Sequence, residues 1–119
     1  MDESRKYLAL VSDLMFSGKI SAEARAAGAN CRIVRAAAKL SEAGPADLLL
    51  VDLTMNGAIP AAIAWKSANS KPIIGFAPHV DEAIISQAQA GGFDQVLSRG
   101  KFVQVLPAFF QIQQKEELK

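Results

Sequence analysis

The chain has 119 residues, half of them apolar and 21% charged, an ordinary composition for one globular domain with a single hydrophobic core rather than for a disordered segment. Thirteen basic residues against twelve acidic ones leave a net charge of +1, which argues against a nucleic-acid-binding face. No apolar stretch approaches the roughly 18–20 residues of a membrane span, and the charged start Met1-Asp2-Glu3-Ser4-Arg5-Lys6 has no signal-peptide core behind it. The lone Cys31 has no partner for an internal disulfide and reads as a small buried hydrophobe, so a cytoplasmic protein is expected.

Tyr7-Leu8-Ala9-Leu10-Val11 reads as a first strand, ended by Ser12-Asp13. A helix rich in alanine follows and stops near Gly28. Ser17-Gly18-Lys19 has the tail of a phosphate-binding loop but lacks the upstream glycine that such a loop needs. Cys31-Arg32-Ile33-Val34 is β-prone with modest apolar content, as in an outer strand. Ala36 to Ala43 reads as a second helix, closed by Gly44-Pro45. The basic residues Lys19, Arg25, Arg32, Arg35 and Lys39 are scattered over these pieces and read as a solvated face.

The run from Asp47 to Asp52 is almost unbroken in its apolar character, without alternation. It suits a strand covered on both faces, as at the centre of a parallel sheet. Asp52 then lies at the carboxyl end of that strand, where open α/β sheets bind ligands. Ile59-Pro60 opens a third helix, whose stripe of Ile59, Ala62 and Ile63 leaves Trp65 on a partly buried flank. Ile73 to Ala77 is a fourth strand. A fourth helix starts at Asp81 or Glu82 and ends at Gly91-Gly92, and Phe93 to Leu97 is a fifth strand. In the last segment, Lys101 to Lys119, Pro107 is expected in the first helical turn or at a kink. Five alternations of strand and helix predict an α/β three-layer sandwich around a five-stranded parallel sheet, in the order 2-1-3-4-5.

Over essentially its whole length, 1–119, the chain resembles the receiver domain of two-component response regulators, a single receiver-like domain of flavodoxin-like fold. Asp52-Leu53-Thr54-Met55-Asn56 is similar to the family's phosphoaccepting aspartate and the Met-Pro beyond it, with Asn56 in place of the proline. Ser12-Asp13 stands where the family has an acidic pair that binds magnesium, so the resemblance implies a weak Mg²⁺ site of Asp13, Asp52 and the Thr54 carbonyl. No cofactor is required by the sequence itself. Ala77 takes the place of the family's switch Ser or Thr, Val96 that of its aromatic switch residue, and Arg99-Gly100 that of its Lys-Pro.

These departures lead to three expectations. The first is a pseudo-receiver that is not an enzyme and acts through a protein partner, a histidine kinase or downstream signalling protein. Its site is then structural, with Asp13, Asp52 and Arg99 satisfying one another or with Asp52 capping the next turn. The second is an atypical receiver that still takes phosphate on Asp52. The third is a site for an anion or small ligand built from Ser12, His79 and Arg99; His79 reads otherwise as a solvent-facing or helix-capping residue. The partner surface is expected on Phe102, Phe109 and Phe110. The adjacent pair Phe109-Phe110 cannot both point one way, so one ring should face the core and the other lie at its edge or exposed beside Ala83, Ala88 and Ala90, allowing docking or a homodimer; the alternative is that a kink at Pro107 buries both.

Overall fold

The computed structural model describes residues 5–78 and 82–117, the side chains of 111–117 excepted. Strands and helices alternate along it: β1 (Lys6–Leu10), α1 (Leu14–Ala26), β2 (Asn30–Val34), a 3₁₀ helix (Ala37–Glu42), β3 (Leu48–Asp52), α2 (Ala58–Asn69), β4 (Ile73–Ala77), α3 (Glu82–Ala90), β5 (Gln95–Ser98) and α4 (Arg99–Glu117). All five strands are parallel, in the order β2-β1-β3-β4-β5. That is the order expected from the sequence. Among the described residues no helix is long and apolar enough to cross a membrane.

The central strands are buried on both faces because their side chains alternate between two cores. Leu8, Leu10, Leu49, Val51 and Ile73 point to the side covered by α2, α3 and the 3₁₀ helix. Tyr7, Ala9, Leu48, Leu50, Ile74 and Phe76 point to the side covered by α1 and α4. Every residue of β3 and of β4 is buried, which explains why β3 reads as an unbroken apolar run.

Four expectations are corrected. The segment read as a second α-helix is a six-residue 3₁₀ helix. It has no side-chain cap and buries only Leu40, and Gly44, at φ +84°, turns the chain before it can extend. Trp65 is core rather than flank, at 5% exposure. The buried face of α2 takes in Ala58, Ile59, Ala62 and Trp65, so Ile59 and Ala62 lie in the core as expected and Ile63 is half-buried. Helix α4 starts at Arg99, so Pro107 lies well inside it rather than in its first turn.

The fourth correction removes the phenylalanine surface. Phe102, Phe109 and Phe110 are all buried, at 0%, 8% and 1% exposure. Phe102, Leu106, Phe109 and Phe110 follow the spacing i, i+4, i+7 and i+8, and a helix lying flat on a sheet presents an apolar stripe wide enough to take adjacent residues. Phe110 meets Tyr7 edge-on with centroids 5.0 Å apart, and the Tyr7 hydroxyl donates to the Phe109 carbonyl at 3.3 Å.

A polar clasp ties α2 to the far side of the sheet. Lys66 Nζ donates to Asp94 Oδ2 at 2.8 Å and to the Gly92 carbonyl at 2.7 Å, and the Ile73 N–H donates to the same carboxylate oxygen. Burial works to raise the Asp94 carboxyl, but Lys66 and the Ile73 N–H outweigh it and hold the group below the usual carboxylate range.

Two outcomes follow from this packing. Phe110→Ala should lose about 3–5 kcal/mol in urea unfolding, as a large core ring does, without changing the sedimentation of the folded protein. The depressed Asp94 carboxyl contributes stability that is complete above the ordinary value near about 4 and is lost as pH falls through the lower folded value. Asp94→Asn should remove that acid limb from a stability-versus-pH curve.

Candidate functional site at the carboxyl edge of the sheet

Register places the site. Leu10 pairs with Val51 and Asp52 with Phe76, so Ser12, Asp13 and Asp52 emerge at one edge, and Arg99 follows the β5 end, where Ala77 pairs with Ser98. Asp52 is the single buried charged residue among those described, at 3% exposure. A buried carboxylate needs donors. Its Oδ1 accepts from the Thr54 N–H at 3.0 Å and from the Thr54 hydroxyl at 2.7 Å, a local turn that closes the β3 end. Its Oδ2 faces Arg99 Nη2 at 4.0 Å.

Asp13 does something else. Its Oδ1 accepts the Phe16 N–H at 3.0 Å, making it the N-cap of α1. The ion pair expected between Asp13 and Arg99 is thus replaced by one between Asp52 and Arg99. Capping by Asp13 sets the phase of α1, which turns Phe16 inward and Leu14 and Met15 outward.

Arg99 is seated on an aromatic floor. Its guanidinium carbon lies 4.6 Å from the Phe16 ring centroid. Phe16 lies 5.0 Å from Phe76 and 5.9 Å from Phe102, and Phe76 stacks on Phe102 at 4.2 Å. Arg99 Nε is buried without a hydrogen-bond partner. A second arginine ties the loop itself: Arg35 Nη1 lies 3.4 Å from the Ser12 carbonyl and 3.3 Å from the buried Ser17 Oγ. Neither arginine contact is written in local pattern, because each joins residues far apart in the chain.

The other expected residues divide as follows. Ala77 is fully buried at the β4 end, and Val96 is half-buried against the α2–α3 core. Thr54 joins the site through its hydrogen bonds to Asp52. His79 falls outside the described residues. Cys31 is half-buried, and burial pushes its thiol up to about 12, as suits an inert packed side chain.

The donor set is a poor match for Mg²⁺, which wants six oxygens in near-octahedral array. One oxygen of each carboxylate is already engaged, by the α1 cap and by Thr54, and Arg99 stands at the other oxygen of Asp52. Among the described residues no group of three or more His, Cys, Asp or Glu side chains gathers that could hold a metal ion.

No family model matches the chain, and no curated protein matches it significantly. Solved structures do. The BeF₃-activated receiver domain of DrrB superposes with a TM-score of 0.79 at 12% identity, over 91% of this chain and 95% of that one. The phosphorylated cyanobacterial phytochrome response regulator RcpA gives 0.77 at 12% identity, over 91% and 92%. The receiver domain of a sensor histidine kinase from Pseudomonas aeruginosa PAO1, with magnesium coordinated in its active-site cleft, gives 0.74 at 16% identity, over 91% and 95%. Sheet order, overlap across 91% of the chain and the buried aspartate at the end of β3 together establish that this chain has the receiver fold of response regulators.

Proposed function

We infer that the chain is a signalling domain of two-component type that works as a pseudo-receiver: it is not an enzyme, and it acts by contact with a protein partner rather than by accepting phosphate on Asp52. The observation that carries this reading is the state of Asp52. Both of its oxygens face protein groups, Thr54 on one side and Arg99 on the other. Phosphoryl transfer to a carboxylate needs a free oxygen and a cation shared with the donor phosphate. Here the nearby cation is a guanidinium held over Phe16, which supplies charge but no open coordination sites. Ala77 and Val96 add to the case, since neither a hydroxyl nor an aromatic ring is present to carry a change at Asp52 into the adjoining loops.

A partner has a surface to meet beside this site. Leu14 and Met15, in the first turn of α1, are the large hydrophobic residues left exposed among those described, at 74% and 88%. They replace the buried phenylalanines of α4 as the apolar contact through which a histidine kinase or downstream signalling protein would engage.

Incubation with Mg²⁺ and beryllofluoride, followed by backbone chemical shifts, should leave the residues around Asp52 unmoved, and acetyl phosphate should give no stoichiometric label. Mg²⁺-dependent labelling that reaches one phosphate per chain and disappears in Asp52→Ala would establish an active receiver instead. Asp52→Asn should destabilise the fold by about 1 kcal/mol in urea unfolding, because Arg99 loses its counter-charge while remaining one-third exposed. A gain in stability would mean that Asp52 is crowded by Asp13 rather than held by Arg99.

A further inference from the structure

The crossover from β2 to β3 is the lightest in the molecule. The other three crossovers are α-helices of 13, 12 and 9 residues, whereas this one is a 3₁₀ helix of six residues held by one buried side chain, Leu40. Between it and α2 lies a cavity of about 500 Å³, within the range of roughly 300–1,000 Å³ of small-molecule sites. Its walls are Ala37 and Ser41 on one side and Ala61, Ala64, Trp65 and Ala68 on the other. On α2 these positions fall on successive turns of one face. Alanines on both walls stop at Cβ, which leaves a slot rather than an interlocked seam. No lining residue carries a charge.

Trp65 separates this slot from a mere strip of small residues. It is 5% exposed, and its buried Nε1–H has no acceptor. A buried indole N–H ordinarily finds a partner. Of the polar side chains in the wall, Asn69 donates its Nδ2 to the Trp65 carbonyl at 2.8 Å, and neither it nor Ser41 serves the indole.

We propose that the slot between the 3₁₀ helix and α2 is a binding site for a small, flat, neutral molecule with an apolar body and one carbonyl-type acceptor, which takes the Trp65 Nε1–H. The uncharged lining excludes an ionic ligand, whose charge would lie unpaired. The orphan donor argues against a docked helix, whose backbone carbonyls are already engaged along its length. Nε1 is shielded from solvent, so the acceptor must displace part of the wall to reach it. The 3₁₀ helix, without a side-chain cap and with Leu40 as its one buried side chain, is the lighter of the two walls. The site is separate from the Asp52 edge and does not rest on the pseudo-receiver reading.

Trp65 is the only tryptophan in the chain, so its single indole ¹H–¹⁵N peak reports on the slot directly. Titration with acetophenone should move this peak saturably, while ethylbenzene, of similar shape but without an acceptor, should bind about tenfold more weakly. Trp65→Phe should erase that difference, read from the backbone amides of residues 61–68. Ala64→Leu and Ala68→Leu, at exposed helix positions, should fill the slot and abolish binding of both probes while leaving thermal unfolding unchanged. Asp52→Asn should bind as the wild type does. The proposal is overturned if neither probe gives a saturable shift up to its solubility limit, or if the shifts survive Ala64→Leu. It is equally overturned if the indole peak moves with protein concentration alone, since a second copy would then occupy the slot.

Discussion

A strand covered on both faces that ends in a carboxylate is the constraint from which the rest of the site follows. Every side chain of β3 is buried, Asp52 included. A charge in that position must be met by donors or it destabilises the fold by several kcal/mol. Thr54 meets it locally, with a backbone N–H and a hydroxyl on one oxygen. Arg99 meets it from across the sheet. Arg99 in turn needs a place for a half-buried guanidinium, and the Phe16 ring provides one. Phe16 is held there by Phe76 and Phe102, and reaches that place because Asp13 fixes where α1 begins. Remove the burial of β3 and none of these contacts has a reason to form.

The parts of this arrangement that were legible in the sequence are those written in short-range pattern. The unbroken run from Asp47 to Asp52 marks a doubly covered strand, and the alternation of strands with helices leads to the sheet order. Asp13 and Asp52 at strand ends followed from the same reading. What escaped was width and distance. Trp65 reads as a flank because a stripe of Ile59, Ala62 and Ile63 is narrower than the face that α2 buries, which takes in Ala58, Ile59, Ala62 and Trp65. Phe109 and Phe110 were split between core and surface because a helix face was taken as narrower than the stripe that a sheet can cover. The seat of Arg99 on Phe16 joins the two ends of the chain, and no local pattern carries such a contact.

The two faces of the sheet are built differently, and the difference bears on what the site can do. The α1–α4 side is a cluster of rings: Tyr7, Phe16, Phe76, Phe102, Phe109 and Phe110. Such rings interlock at fixed angles and leave little slack. The other side is aliphatic apart from Trp65 and Phe93, and its cover includes the thin 3₁₀ crossover. Rigidity is therefore concentrated beneath Arg99, and compliance lies on the opposite face.

That asymmetry is consistent with the proposed reading, in which the domain acts by contact rather than by movement at Asp52. A lysine in place of Arg99 would carry its charge on a flexible stem, free to leave one oxygen for another. The planar guanidinium lies against a ring that is itself wedged between two others, with its Nε buried and unpartnered, so turning it would break the cation–π contact without recovering a hydrogen bond at that nitrogen. Thr54 is committed to Asp52 in the same way. Ala77 is packed at the end of β4 and Val96 lies in the opposite core, so neither offers a hydroxyl or an aromatic ring that could move toward the carboxylate. A switch requires a bistable element whose two states a ligand can distinguish. Among the described residues, the carboxyl edge of this sheet holds Asp52 between Thr54 and Arg99, and Leu14 and Met15 stand exposed beside it.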